Sequence, residues 1–121
     1  MRQIVLDTET TGLDPLTGDR VIEVAAVELF NLLPTGEAFH TLLDPERDIP
    51  AEASRIHGFT NGDVAGKPKF ADIAERFLAF LGDADIIAHN APFDFGFLDA
   101  ELLRCQRPAL NRARMIDSLV M

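Results

Sequence analysis

The chain has 121 residues, 47% of them hydrophobic, enough for one domain with its own core; Cys105 is the sole cysteine, so neither disulfides nor a zinc site staples it. Twenty acidic against eleven basic residues leave a net charge of −9, which excludes a protein that grips a polyanion through a broad basic surface. No apolar run approaches the ~18 residues of a membrane span and no basic, long-apolar leader opens the chain, so the reading is one reduced, cytoplasmic unit with no membrane partner.

The first element predicted is a strand over the apolar run Ile4, Val5 and Leu6, continuing into Asp7 and Glu9. Side chains alternate across a strand, so the two carboxylates project from one face, and Thr11 and Gly12 supply the turn that ends it. Two adjacent anions repel unless a cation lies between them. Oxygen-only donors suit hard divalent ions such as Mg²⁺ and Mn²⁺, so the pair reads as half of a metal cage.

A loop over residues 12–19 leads to a strand rich in β-branched residues over 21–30, then a turn at Pro34-Thr35-Gly36 and a third strand over 37–43. Three strands with short connections form an antiparallel meander, since parallel pairs need a crossover. Residues 45–69 carry three prolines and are expected to be loop-like, with a short helix near 51–56. Phe70, Ile73, Ala74, Phe77, Leu78 and Leu81 then recur at helical spacing and set one apolar stripe against a sheet, until Gly82 ends the helix. Asp85–Ala88 reads as a short buried strand, Pro92 opens a helix reaching about Arg104, and a final short element covers 115–121. This order predicts an α/β fold, a mixed sheet flanked by helices. No glycine-rich phosphate cradle occurs, so a nucleotide-cofactor fold has no support. The arginines at 104, 107, 112 and 114 read first as solvated charge around a helix end, with phosphate contact as the alternative.

The second chemical constellation is His89-Asn90-Ala91-Pro92-Phe93-Asp94, where the fourth strand feeds a helix. If that strand neighbours the first, Asp94 approaches Asp7 and Glu9 at the strand ends, where open sheets place their sites. On residue type alone Asp94 also suits the positive end of its helix, His57 a backbone-satisfied loop position, Asn90 a helix cap, and Leu13 and the Phe93, Phe95, Phe97 series internal packing.

Three segments together, Asp7-Thr8-Glu9-Thr10-Thr11-Gly12-Leu13, Ile56-His57-Gly58-Phe59-Thr60 and His89-Asn90-Ala91-Pro92-Phe93-Asp94, resemble in order and separation the DnaQ-like, or DEDD, family of 3′-to-5′ exonucleases, and within it the proofreading branch. The resemblance implies a ribonuclease-H-like fold, three antiparallel strands followed by parallel ones, and hydrolysis of the 3′-terminal phosphodiester of single-stranded DNA with two divalent cations, Mg²⁺ or Mn²⁺. It assigns Asp7, Glu9 and Asp94 as catalytic metal ligands. Thr10, Thr11 and Gly12 would meet the terminal nucleotide through their backbone, Leu13 would pack under its base, and Glu52 and His57, with Asn90 as a weaker candidate, would touch substrate. The partner implied is the polymerase subunit of the DNA polymerase III core.

In the histidine branch of that family a third motif follows, a general-base histidine with an aspartate five residues later. Here His40, His57 and His89 all precede Asp94, and Asp117 lies in a segment resembling the strand before the family's later helices. The expectation is a single exonuclease domain over residues 1–121 lacking the C-terminal helices and third motif, weak or inactive by itself, with apolar surface left exposed. The second expectation is a catalytically dead nucleic-acid- or polymerase-binding module on the same scaffold.

Overall fold

The computed structural model describes residues 1–120; Met121, the end of the last predicted element, lies outside them. Strands β1 (Arg2–Thr10), β2 (Val21–Phe30), β3 (Leu33–Leu42), β4 (Asp85–Ala88) and β5 (Met115–Asp117) form one sheet in the order β3-β2-β1-β4-β5. The first three are antiparallel, and β4 and β5 add in parallel. The helices are α1 (Ala51–His57), α2 (Asn61–Val64), α3 (Phe70–Leu81) and α4 (Ala91–Arg104). Both parallel pairings follow crossovers, which the short fourth and fifth strands need in order to align with β1.

The main core lies on one face of the sheet. Ile4 and Leu6 of β1, Val24 and Ala26 of β2 and Ile86 of β4 are buried against the apolar stripes of α3 and α4. A second, smaller cluster joins Ile22, Ile49, Ala53 and Val64, so α1 and α2 are seated by their own apolar contacts. A β-bulge between Glu9 and Thr10, opposite Val21 and Glu23, makes this possible. It inserts Ile22 as an extra residue, which joins α1 and α2 in the second cluster, and it sharpens the twist where the strand leaves the sheet. Val5 and Val27, paired across β1 and β2, stay exposed on the face opposite the main core.

The β2–β3 hairpin departs from the expected one. Its turn is Asn31-Leu32, both at positive φ (50° and 69°), and Pro34-Thr35-Gly36 lies inside β3 beside a register shift. A two-residue turn of this kind matches the twist of the flanking strands. Pro34 is tolerated because β3 is an edge strand, where a missing N–H breaks no ladder.

Glu101 of α4 is 1% exposed and accepts from the Arg20 Nε at 2.8 Å and the Val21 backbone N–H at 3.1 Å. This buried pair ties α4 to the start of β2. The four C-terminal arginines divide similarly. Arg104 reaches Glu101 and the Pro15 carbonyl, Arg112 pairs with Asp99 at 2.8 Å, and Arg114 donates to the Ala84 carbonyl at 2.8 Å. Three of the four are therefore engaged in contacts within the protein rather than being the simply solvated charge expected of them.

Glu101→Ala should destabilise the chain by about 3–5 kcal/mol in urea unfolding, because it strands a partly buried guanidinium, whereas Glu101→Gln, which still accepts from Val21, should cost about 1–3. Leu32→Gly should raise stability by about 1 kcal/mol, because glycine carries no penalty at positive φ. A loss there would mean that Leu32 contributes through contacts rather than turn geometry.

Candidate active site

The alternation along β1 divides its chemistry between two faces. Leu6 and Thr8 are buried, Asp7 is exposed and Glu9 half-buried. At Thr10 the strand bulges and the chain turns. Thr10 Oγ donates to the Gly12 carbonyl at 2.7 Å, and Thr11, 1% exposed, donates its backbone N–H to the Arg20 carbonyl and accepts the Arg20 N–H at its hydroxyl. Leu13, 82% exposed, is left at the rim and takes no part in the core.

A cleft of about 590 Å³ opens beside this turn, walled by Glu9 through Asp14 on one side and by Glu52, Ala53, Ile56 and His57 of α1 on the other. Gly58, at φ 80°, ends α1 in a left-handed cap. That cap turns the chain so that the Phe59 backbone N–H donates to the His57 Nδ1 at 3.0 Å. Nδ1 is thus an acceptor and the ring proton sits on Nε2. The Nε2 atom is buried and, among the described residues, has no hydrogen-bond partner. A buried donor left unpaired costs about 1–3 kcal/mol, so it marks a position where a ligand acceptor would be rewarded.

The three carboxylates are electrostatically coupled. Burial lifts the Glu9 carboxyl above its ordinary value, Asp7 and Glu23 lift it further, and the His57 ring opposes them. Burial pushes Asp94 up to about 6, with Asp7 adding to the rise and the hydrogen bond from the Thr8 hydroxyl opposing it. Asp7 is therefore the common neighbour of both. The donor chemistry, carboxylate oxygens with Asp7 raising both Glu9 and Asp94, fits a hard divalent cation. The side chains do not close into a cage, however. Among the described residues no three histidine, cysteine or carboxylate groups stand together as a metal-holding set. Asp94 is 5% exposed and its Oδ1 is taken by Thr8, whose side chain lies on the face of β1 opposite Asp7 and Glu9.

Of the residues singled out from the sequence, the cleft gathers Glu9, Thr10, Thr11, Gly12, Leu13, Glu52 and His57. Asp7 and Asp94 lie outside its lining but are coupled to Glu9 or to each other. Asn90 stands apart: it adopts φ 60° at the start of α4, is exposed, and its side chain makes no capping hydrogen bond. The sequence reading missed the other half of the lining, Asp14, Asp19, Ile56 and Phe93 together with Thr8, Pro50 and Ala53. Ile56 was within reach, being four residues from Glu52 on one helical face. The packing expected of the phenylalanine series holds: Phe95 and Phe97 are buried, and half-buried Phe93 packs against the main core with its ring tilted against that of Phe97 at 4.9 Å, while it also lines the cleft.

Comparison with known proteins adds the following. The family model described as Exonuclease, RNase T, matches residues 4–121. DNA polymerase III subunit epsilon of Rickettsia conorii is 49% identical over 100% of this chain, and that of Escherichia coli 42% identical over 98%. The chain spans about half the length of the curated relatives it matches, 54% and 51% for these two. Among solved structures, the metal-free E. coli exonuclease I–ssDNA complex superposes with a TM-score of 0.85 at 21% identity, over 98% of this chain and 28% of that one. Exonuclease X in complex with 5′-overhanging duplex DNA gives 0.68 at 30% identity, over 78% and 52%. The exonuclease I likeness bears out the expected mixed-sheet α/β fold.

Because the folded chain holds the Asp94 proton more tightly than the unfolded chain, the stabilisation that Asp94 contributes is present below its ordinary value of 3.8 and is lost as pH rises through about 6. Without divalent ions, Asp94→Asn should therefore stabilise the chain by about 1–3 kcal/mol at pH 7.5, with the gain vanishing toward pH 4. Thermal melts across that range measure it. A variant less stable at pH 7.5 would refute the assignment of the burden to Asp94.

Proposed function

We propose, from the premise that this chain belongs to the RNase T exonuclease family, that it is the proofreading 3′-to-5′ exonuclease domain of a DNA polymerase III epsilon subunit, removing nucleotides from a single-stranded DNA 3′ end. The observation that carries this reading is the cleft itself, where the Thr10–Leu13 turn faces α1 across a space lined by Glu9, Glu52 and the unpartnered Nε2–H of His57. No Lys or Arg lines that cleft. It therefore suits the sugar and base of a terminal nucleotide, and the scissile phosphate is left to the neighbouring carboxylates.

Asp7, Glu9 and Asp94 are the residues that would hold divalent cations, Mg²⁺ or Mn²⁺. When bound, such ions supply Lewis-acid stabilisation of charge at the reacting phosphate. The protein's own part is positioning. Backbone groups of Thr10, Thr11 and Gly12 meet the terminal nucleotide, Leu13 and Ile56, both 82% exposed, offer apolar surface to its base, and His57 donates from Nε2. Glu52, exposed on α1, serves as an acceptor for a sugar hydroxyl. Within these 121 residues no histidine follows Asp94, so proton removal from the attacking water lacks a positioned imidazole and turnover should be about 10² to 10⁴ below that of a cleft supplied with one. The polymerase subunit of DNA polymerase III is the proposed partner and the cytoplasm the proposed location; no helix among the described residues is long and apolar enough to cross a membrane.

The test is incubation of the chain with 5′-labelled single-stranded DNA and Mn²⁺ or Mg²⁺. Slow stepwise shortening, stopped by chelator and by Asp7→Ala, is the expected outcome. Tight DNA or metal binding with no shortening even at long incubation would point to a binding module instead. In parallel, His57→Ala should weaken binding of the 3′ end several-fold while metal affinity is unchanged.

A further inference from the structure

We propose that Asp19 is a positioning residue of the terminal-nucleotide cleft, holding the Thr11–Leu13 turn in the shape that a nucleotide enters; this rests on the exonuclease reading above. Both of its carboxylate oxygens are spent on that turn and its support. Oδ1 accepts from the Thr11 hydroxyl at 3.0 Å and from the Arg47 Nη1 at 2.9 Å, and Oδ2 accepts from the Asp14 backbone N–H at 3.2 Å. The Asp19 backbone N–H donates in turn to the Asp14 carbonyl at 3.2 Å, closing the loop on itself. Thr11 is fixed from the other side by Arg20, whose N–H donates to the Thr11 hydroxyl at 3.0 Å and whose carbonyl accepts from the Thr11 N–H at 2.9 Å.

The carboxylate also lies directly beneath Gly12. A Cβ on Gly12 would stand 2.3 Å from Oδ2, closer than any real contact allows, so the glycine and the aspartate are matched to each other. Gly12 is needed here for close approach rather than for an unusual φ. Asp19 borders a cleft that already contains Glu9, Asp14 and Glu52, where one more anion would work against a nucleotide's phosphate. Its value therefore lies in what it holds, with Arg47 offsetting its charge. Neither Asp19 nor Arg47 is a member of the main core cluster, so removing the pair should loosen the turn more than it lowers global stability.

The experiment uses the isotope-labelled chain, with thymidine 5′-monophosphate titrated in Mg²⁺ and Mn²⁺ binding followed separately. Asp19→Ala should weaken the nucleotide about 10-fold, Asp19→Asn by less because it still accepts from Thr11, and Mn²⁺ affinity should stay within about twofold. Amide exchange at Gly12 and Leu13 should accelerate while that of β1 and α4 does not. Gly12→Ala should weaken the nucleotide in the parent chain but add nothing once Asp19 is alanine, since the collision is then gone. Nucleotide affinity within twofold of the parent in folded Asp19→Ala, or a loss that takes Mn²⁺ affinity down equally, overturns the proposal. If Asp19→Ala fails to fold, Arg47→Ala and Gly12→Ala take its place, and unchanged nucleotide affinity in both overturns it. A parent chain that binds no nucleotide sinks the exonuclease reading itself; exchange at Gly12 then decides the turn-holding role, which unchanged exchange in Asp19→Ala refutes.

Discussion

The two-residue alternation of β1 is the constraint on which the rest of the molecule depends. β1 is the central strand, paired with β2 on one edge and β4 on the other, so its side chains have no freedom to choose a face. Ile4, Leu6 and Thr8 go to the helices, and Asp7 and Glu9 to the other side. A slip of one residue would bury the carboxylates and expose the core. The same strand thus anchors the hydrophobic contact with α3 and α4 and carries the charges that give the site its chemistry.

Around that strand the protein builds an acidic place and leaves the repulsion uncancelled. Its cations are engaged elsewhere: Arg20 with Glu101, Arg112 with Asp99, Arg47 with Asp19. Glu9 and Asp94 are left with carboxyls displaced upward, each partly by Asp7. Such a set carries uncancelled repulsion in the folded protein, a cost that a hard cation among the carboxylates would relieve. The net charge of −9 is consistent with this arrangement, since twenty acidic residues face eleven basic ones.

The cleft depends on two local irregularities. The bulge at Glu9/Thr10 ends the regular strand and inserts Ile22, which helps seat α1 and α2, and the Gly58 cap turns the chain so that Phe59 fixes the His57 ring. The bulge also sets Val21 on the main-core face together with Val24. Both irregularities cost regular hydrogen bonding and repay it by aiming side chains at one space, a common use of bulges and left-handed caps.

The sequence by itself determined the element types and the α/β class, because these follow from short-range physics, and its family resemblance supplied half of the cleft lining. Alternation placed Asp7 with Glu9, the helical stripe from Phe70 to Leu81 defined α3, the motif segments pointed to Thr10–Leu13 and His57, and the family resemblance added Glu52. The hairpin turn was misread because Pro34 and Gly36 are strong turn signals in isolation, and only the edge position of β3 lets them sit inside a strand. Tertiary structure alone decided what depends on residues far apart in the chain: that Asp94 takes Thr8 as its partner across 86 residues, that Phe93 lines the cleft as well as packing on the core, and that Asp19 lies under Gly12. Those contacts are set by packing of α4 and the β1–β2 loop against β1, and no local pattern encodes the distance between them.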